Sequence, residues 1–332
     1  MSIRYSLRLA QTELEQREAL HLLESDPAAQ SLAQELTHLL ESDGTNQLDD
    51  WNLLIALESH ETQATPAISG VILVYCQPDD SATIFPPRCD HACPDSSELE
   101  NLLLQGALRL ARERSCEYIQ SLLCCNELAI SKLFTRHGIP KIGDLIFMQS
   151  PRNSVNRPAA RSTADNDASE AMKLSASIPI RLLSIGEEHG SPALEQLIEG
   201  TYRDSADFPE LVGRKTGRDA LRTHRLQGDF DPRFWYWIQH GGDTAGVVLL
   251  AHHPRMNQME ITYLGILPEF RRHGLARYAI DSVLSNEDFA DRPFFLGVDA
   301  RNLPAIKLYD SCGFVPWGRQ WVHFCWLAEE AS

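Results

Sequence analysis

The chain has 332 residues, 43% hydrophobic and 23% charged, with 46 acidic against 30 basic residues and a net charge of −16. That length exceeds what one core usually serves, so two domains are expected. The acidic balance excludes a nucleic-acid backbone interface, which needs a Lys/Arg-rich surface; it would favour cationic or amine partners, although acidity is also a common solubility feature.

The first residues, MSIRYSLRLAQTELEQ, lack the apolar core of a signal peptide, and no run approaches the roughly 18 apolar residues of a membrane span. A cytoplasmic chain without a membrane partner is the expectation. Eight cysteines in a chain this long are not a disulfide framework. Cys89, His91 and Cys93 have a C-x-H-x-C spacing that could supply soft metal ligands, but no second pair lies nearby. Reduced structural thiols and no metal are expected.

In chain order, Gly70-Val-Ile-Leu-Val reads as a buried strand, and Leu133-Phe-Thr-Arg-His-Gly138 lies near the close of a first domain, residues 1–150. Residues 151–178, rich in Ser, Asn, Pro and Ala without apolar periodicity, read as a flexible linker. The second domain, 179–332, opens with a strand at 180–184 and a helix at 191–202, with Ser191 as N-cap and Pro192 at the first helical position. Strands follow at 234–239, 245–252 and 259–267, the first two joined by a tight turn at Gly241-Gly242-Asp243. A helix at 274–284, a strand at 294–298, a helix at 303–312 ended by Gly313, and a strand at 321–327 complete the reading. The fold class is α/β (α+β), a mixed and mostly antiparallel sheet flanked by helices.

The halves resemble each other. Gly70 and Gly246 lie 176 positions apart, Asn126 and Asn302 also 176, and Gly138 and Gly313 175. Three landmarks in near-constant register indicate a duplication.

The segment Glu260 to Arg277 carries the chemistry. A strand ends at Pro268, a basic turn follows, and a helix opens at Gly274. Helix N-termini leave backbone N–H groups unpaired and, with the dipole, make an anion site. Gly274 and Ala276 remove side-chain bulk there, while Arg271, Arg272 and His273 add positive charge. The combination suits a pyrophosphate.

Arg271-Arg272-His273-Gly274-Leu275-Ala276 resembles the Gln/Arg-x-x-Gly-x-Gly/Ala hallmark of the GNAT superfamily of acyl-CoA-dependent N-acetyltransferases. Asn302-Leu-Pro-Ala305-Ile-Lys-Leu308-Tyr309-Asp-Ser-Cys312-Gly313-Phe314 resembles the family's second motif. The likeness is strong over about 235–327 and weaker from 178 to 234. It implies two tandem GNAT-like domains and transfer of an acetyl group from acetyl-CoA, as co-substrate, to a primary amine by direct attack in a ternary complex. A non-catalytic acyl-CoA-binding or sensing protein is the alternative.

The resemblance also implies residue roles. The backbone of Leu264, Gly265 and Ile266 would bind the pantetheine arm, with a β-bulge splaying that strand from its neighbour. The backbone from Arg271 to Ala276 would hold the pyrophosphate, and Asn302 would contact the cofactor arm. Tyr309 would be general acid. Glu260, followed by Ile261 as in histone-type members of the family, is a candidate base or a structurally paired carboxylate. Tyr202, Asp204, Asp207 and Glu210 would cover the acceptor, a small-molecule or peptide amine; the oligomeric state is not legible. Cys312 is expected to pack.

At the matching places the first half has Asp95 to Glu100, acidic and without glycine, and Phe134 instead of Tyr309. It is therefore expected to be a degenerate copy that buttresses the second; tandem GNAT proteins such as mycothiol synthase-like enzymes likewise combine two such domains.

Overall fold

The computed structural model describes residues 4–24, 30–42, 51–59, 67–90, 93, 95–150, 179–211, 213–214, 216–289 and 292–327. The expected linker, 151–178, and His91 of the cysteine cluster lie outside the described residues. The chain forms two compact units: Met1–Gly143 with Gln320–Ser332, and Asp144–Arg319. The boundaries read from sequence, 150 and 179, thus differ from those of the compact units. Strand pairing is the reason. The strand β7 (Lys141–Gln149) pairs Leu145–Gln149 antiparallel with Asp299–Phe295 of β12 (Phe294–Asp299) in the second unit. The strand β13 (Val315–Trp326) pairs Gln320–Trp326 with Cys124–Tyr118 of β6 (Tyr118–Cys124) in the first. Each half gives its last strand to the other unit.

The first unit contains β1 (Arg4–Leu9), α1 (Glu13–Glu24), α2 (Gln30–Ser42), β2 (Trp51–Ser59), β3 (Ala67–Cys76), β4 (Ser81–Ile84), β5 (Arg88–Cys89), α3 (Ser96–Glu113), β6 and α4 (Leu128–Arg136). Its sheet runs β1-β2-β3-β4-β6 and then residues 320–326 of β13; only β4 and β6 run parallel. Successive strand residues face opposite sides. Leu53, Ile55, Val71 and Leu73 therefore pack with Ala19, Leu20 and Leu23 of α1. Leu54, Ala56, Ile72 and Val74 pack with the α3 stripe Leu99, Leu103, Leu104, Ala107 and Ala111, spaced three and four apart.

The second unit contains β8 (Ile180–Ser184), α5 (Pro192–Tyr202), α6 (Gly217–Arg225), β9 (Trp235–His240), β10 (Asp243–His253), β11 (Gln258–Ile266), α7 (Leu275–Leu284), β12 and α8 (Leu303–Ser311). Its sheet runs β7-β12-β11-β10-β9-β8, antiparallel except for β11 with β12. Val248 and Leu250 pack with Ala279, Ile280 and Val283 of α7. Val247 and Leu249, on the other face, pack with Leu194, Leu197 and Ile198 of α5 and Leu221 of α6. The fold is the expected mixed α/β sheet flanked by helices.

Local signals explain most boundaries. Ser191 accepts the Leu194 N–H at 3.3 Å as the N-cap of α5. Gly313, at φ +86°, ends α8 as expected. The helix α6 was not anticipated, although Thr216 and Asp219 form a reciprocal capping box at its start. The last strand begins at Val315 rather than 321.

The units, taken separately, share details that sequence does not display. In β3 the pairing skips Ser69, just before Gly70; in β10 it skips Ala245, just before Gly246. These β-bulges are 176 positions apart, the same offset as the glycines. Gly138 (φ +80°) ends α4 as Gly313 ends α8. One landmark needs correcting: the N-cap of α4 is Glu127, whereas that of α8 is Asn302. Asn126 therefore precedes the position that corresponds to Asn302.

Candidate active site

The strand β11 is held unequally along its length. On one side it pairs with β10, where Leu249 faces Tyr263 and Leu250 faces Ile261. Thr262 is thus a bulge residue, its hydroxyl donating to the Leu249 carbonyl at 3.2 Å. On the other side, β11 pairs with β12 only at Met259–Phe294 and Glu260–Phe295. A bulge bends its strand and increases the twist, and beyond Glu260 the two parallel strands have no paired residues. The edge from Tyr263 to Ile266 is left open inside the sheet, an arrangement that accepts an extended ligand as an added strand. Gly265 has a packing reason for its identity: a Cβ there would lie 2.7 Å from Thr201 Oγ1 of α5.

The open edge leads into the basic turn. Pro268–Phe270 makes one 3-10 turn, Arg272 takes φ +68°, and Gly274 takes φ +76° as the N-cap of α7. No side chain caps α7, so its first-turn N–H groups face outward. A Cβ at Gly274 would meet nothing within 4 Å, which is the free space a phosphate needs. The side chain of Arg271 does something different. Its Nε donates to Ile266 O at 3.1 Å, Nη1 to Asp204 O at 3.1 Å, and Nη2 to Thr201 O at 3.0 Å and Arg203 O at 2.6 Å. It ties the carboxyl end of α5 to the end of β11, so only its backbone is available to a phosphate. Arg272 and His273 are exposed, His273 Nδ1 lying 3.2 Å from Phe270 O; Leu275 is buried and Ala276 half-buried. Arg277 reaches Ser311 Oγ of α8 at 2.8 Å.

Tyr309 is buried in the second unit, its ring centroid 5.9 Å from that of Phe314. Burial raises its phenol pKa above the ordinary value, and the charge of Asp207 with the groups of Cys312 and Tyr263 adds to the effect. The phenol is held protonated, the form a general acid needs. Asn302 accepts the Ala305 N–H at 3.2 Å as N-cap of α8, and its side chain also hydrogen-bonds Asp207.

The segment 202–210 brings a set of carboxylates to the carboxyl end of β12. Asp207 Oδ1 accepts the Asp299 N–H at 3.2 Å, and Asp299 Oδ2 accepts the Phe208 N–H at 3.0 Å. Arg301 donates to Asp299 Oδ2 at 2.6 Å and to both oxygens of Glu210 at 2.6 and 2.9 Å. Burial alone would raise the pKa of Asp299, but the Arg301 bonds and backbone donors outweigh it and the result is a lowered value. Glu210 is lowered too, chiefly by Arg301. Asp207 goes the other way. Its residue retains accessible surface at the rim, yet the protein around its carboxyl desolvates it and raises its pKa; the Asp299 charge adds, against hydrogen bonds from the Asp299 N–H and Asn302. Two neighbouring carboxylates are pushed apart in pKa.

Asp207 edges a cavity of about 210 Å³ lined also by Tyr202, Phe208, His224, Thr262 and Tyr263. Tyr202 and Tyr263 meet edge to face at 6.0 Å, His224 lies 5.2 Å from Tyr263, and the Tyr263 hydroxyl is 2.5 Å from Thr201 Oγ1. Burial raises the phenol pKa of both tyrosines. Larger concavities, about 1200 Å³ against α3 of the first unit and about 650 Å³ between α5 and β9, contain none of the residues the motifs singled out. Size alone does not mark the site; the bulged strand and its neighbours do.

The remaining expected site residues fall as follows. Glu260 Oε2 lies 2.8 Å from His253 Nε2, and its backbone pairs with Phe295 where β11 and β12 are still joined. Leu264 is four residues further, roughly 13 Å along an extended strand. Asp204 takes φ +56° and is exposed, and its carbonyl serves Arg271. Asp299, Arg301, Phe208, His224 and Tyr263 were missed by the sequence reading. The signal was available for two of them, since Asp299 and Arg301 immediately precede Asn302. Among the described residues no group of three His, Cys, Asp or Glu side chains could hold a metal; Cys89 and Cys93 face Ser96 O at 3.8 Å and the Tyr5 hydroxyl at 3.1 Å.

Among the described residues the first unit differs at each of these places. β5 pairs Arg88 with Val71 and Cys89 with Gly70, as Gly265 pairs with Val247 and Ile266 with Gly246. Pro87 then stands where the second unit has Leu264, and Pro86 where it has Tyr263. Proline has no N–H to offer an added strand. Arg88 Nη2 bonds Glu127 Oε1 at 2.7 Å, with both side chains only 16% exposed. α3 opens at Asp95 with Glu98 in its first turn, and Phe134 is fully buried against His323.

An antiparallel sheet with one bulged strand splayed from a parallel neighbour, above an uncapped helix N-terminus, is the arrangement that the resemblance of the motifs implied. The family model described as acetyltransferase (GNAT) family matches residues 198–314, and that segment of the second unit is a GNAT domain. A GCN5-related N-acetyltransferase from Sphaerobacter thermophilus is similar to the chain, with TM-score 0.59 at 16% identity, over 97% of this chain and 95% of that one. A GCN5-related glucosamine N-acetyltransferase region of a fungal multi-domain GH3 beta-N-acetylglucosaminidase gives TM-score 0.60 at 11% identity, over 97% of this chain and 38% of that one. At these identities the likeness is one of fold, and it runs nearly the whole length. A comparison with curated proteins finds no match. Among the described residues no helix is long and apolar enough to cross a membrane.

Proposed function

We propose that the second unit transfers an acetyl group from acetyl-CoA to a primary amine by direct attack, and that the first unit is a copy without a working site. The observation that carries this reading is the open edge of β11 from Tyr263 to Ile266, which leads straight to the uncapped N-terminus of α7. The edge offers Leu264 and Ile266 to an amide-containing arm, and the helix terminus offers N–H groups to a pyrophosphate.

In the reaction the bound ammonium first gives one proton to solvent, the neutral nitrogen attacks the thioester carbon, a C–N bond forms, and the C–S pair leaves on sulfur. Asp207 takes the proton lost by nitrogen; its raised pKa makes it a better base than an ordinary carboxylate. Tyr309 gives its phenol proton to the departing thiolate, and exchange with solvent resets both groups. A thiol of pKa roughly 8.5 leaves readily, so Tyr309 assists departure rather than enabling it. Glu260 is not assigned the base role, because it is engaged by His253 away from the open edge. No cysteine nucleophile takes part: Cys312 is buried in the core beside Tyr309.

Thiol release from acetyl-CoA in the presence of a panel of amines tests the reading. Turnover that depends on amine and falls by on the order of 10²–10⁴ in Tyr309→Phe supports it. Tight acetyl-CoA binding with no turnover on any amine would make the protein an acyl-CoA-binding or sensing module instead.

A further inference from the structure

The acceptor loop carries several carboxylates, but their partners reduce the charge that a substrate would meet. Glu210 is clamped by both Nη atoms of Arg301, and the same guanidinium holds Asp299. Asp207 receives only the Asp299 N–H and the Asn302 amide, with no Lys or Arg paired to it among the described residues. The cavity of about 210 Å³ beside it thus has one carboxylate, at its rim, and walls built from Tyr202, Phe208, His224 and Tyr263. Pockets for drug-sized ligands usually run to roughly 300–1,000 Å³, so this one takes a smaller body.

Resting on the transferase reading above, we infer that the acceptor is a compact monoamine with an aromatic or similarly flat apolar group, its ammonium nitrogen at Asp207 and its ring among the aromatic walls. Edge-to-face rings such as Tyr202 and Tyr263 supply wells for another ring, and their faces favour a cation close by. A polyamine or an aminoglycoside would bring further ammonium groups that need further free carboxylates. A lysine in a peptide would bring backbone polar groups into a cavity whose hydroxyls at Thr223, Thr262 and Tyr263 are already bonded within the protein.

The test uses the full chain with saturating acetyl-CoA and compares 2-phenylethylamine, spermidine, kanamycin and an N-acetyl-lysine amide by thiol release. The expected result is a kcat/KM for 2-phenylethylamine at least about tenfold above the others, a difference that one pocket filled or left empty can supply. Leu211→Trp, a change at the rim of the cavity, should raise KM for that amine and leave acetyl-CoA affinity unchanged. A preference for spermidine, kanamycin or the lysine amide overturns the inference while leaving the transferase reading standing. If no amine releases thiol, calorimetric titration of 2-phenylethylamine into the CoA-bound chain separates the two: binding lost in Asp207→Asn upholds the pocket and overturns the transferase, and absence of binding overturns both.

Discussion

Asp207 and Asp299 exchange hydrogen bonds: Asp207 Oδ1 accepts the Asp299 N–H at 3.2 Å, and Asp299 Oδ2 accepts the neighbouring Phe208 N–H at 3.0 Å. The exchange fixes the acceptor loop to the end of β12 and places two carboxylates side by side. Arg301 neutralises Asp299, so the cost of proximity falls on Asp207, an exposed rim residue whose pKa rises because surrounding protein desolvates the carboxyl and then through its neighbour's charge.

The pH dependence of turnover follows from that shift. A base works deprotonated, so the rate falls as pH drops through the raised pKa of Asp207. Asp207→Asn should lower kcat by on the order of 10²–10⁴ and remove this acid limb from the pH–rate profile. Glu260→Gln should leave the limb where it is; a limb that disappears in Glu260→Gln would return the base role to that residue.

Tyr309→Phe removes one oxygen from a buried ring. Stability should change little, KM for acetyl-CoA should hold, and kcat should fall by on the order of 10²–10⁴. Stopped-flow thiol release and a thermal melt measure the two effects separately. An unchanged kcat would reduce Tyr309 to a packing residue.

Adjacent arginines should behave oppositely. Arg271→Ala strips four hydrogen bonds that join α5 to β11 and should destabilise the chain by about 2–4 kcal/mol, at roughly 1 kcal/mol for each modest bond. Arg272→Ala, at an exposed position, should leave the melting temperature unchanged and weaken acetyl-CoA binding in a salt-dependent way. Denaturant titration and binding at two ionic strengths distinguish them.

His323 gives a pH effect on folding alone. It is fully buried, its Nδ1 donates to Ile139 O at 2.8 Å, and its Nε2 accepts from Ser131 Oγ at 3.0 Å. Burial is the main cause of its lowered pKa. The unfolded chain binds this proton more readily, so stability is full above the ordinary value of about 6.5 and declines as pH falls below it toward the folded pKa. His323→Gln, which can donate to Ile139 O and accept from Ser131, should flatten that slope in thermal melts between pH 7 and 5.

The sequence carried the site's frame because the motifs are backbone devices. The glycine at 274, the proline at 268 and the N-cap at 302 are local requirements, and local requirements are written in adjacent residues. The duplication was visible for the same reason, in Gly70 with Gly246 and Gly138 with Gly313. What was not legible depends on pairing across the chain. The contact between Glu260 and His253 of β10 depends on a hairpin register the sequence does not encode locally. The partners of the Arg271 guanidinium were hidden because they include a carbonyl of a helix about 70 residues earlier. The exchange of last strands between the units was equally hidden, since β7 and β13 have the same hydropathic character wherever they pair. The box of Thr216 and Asp219 was readable, and α6 could have been found from it.

One measurement bears on the central claim most directly: the stoichiometry of acetyl-CoA binding to the full chain by isothermal titration. The account predicts one site per chain, abolished by Gly265→Trp or Gly274→Trp in the second unit and untouched by Arg88→Ala in the first. Two sites per chain, or one site that survives the glycine substitutions in chains shown to be folded, would contradict it.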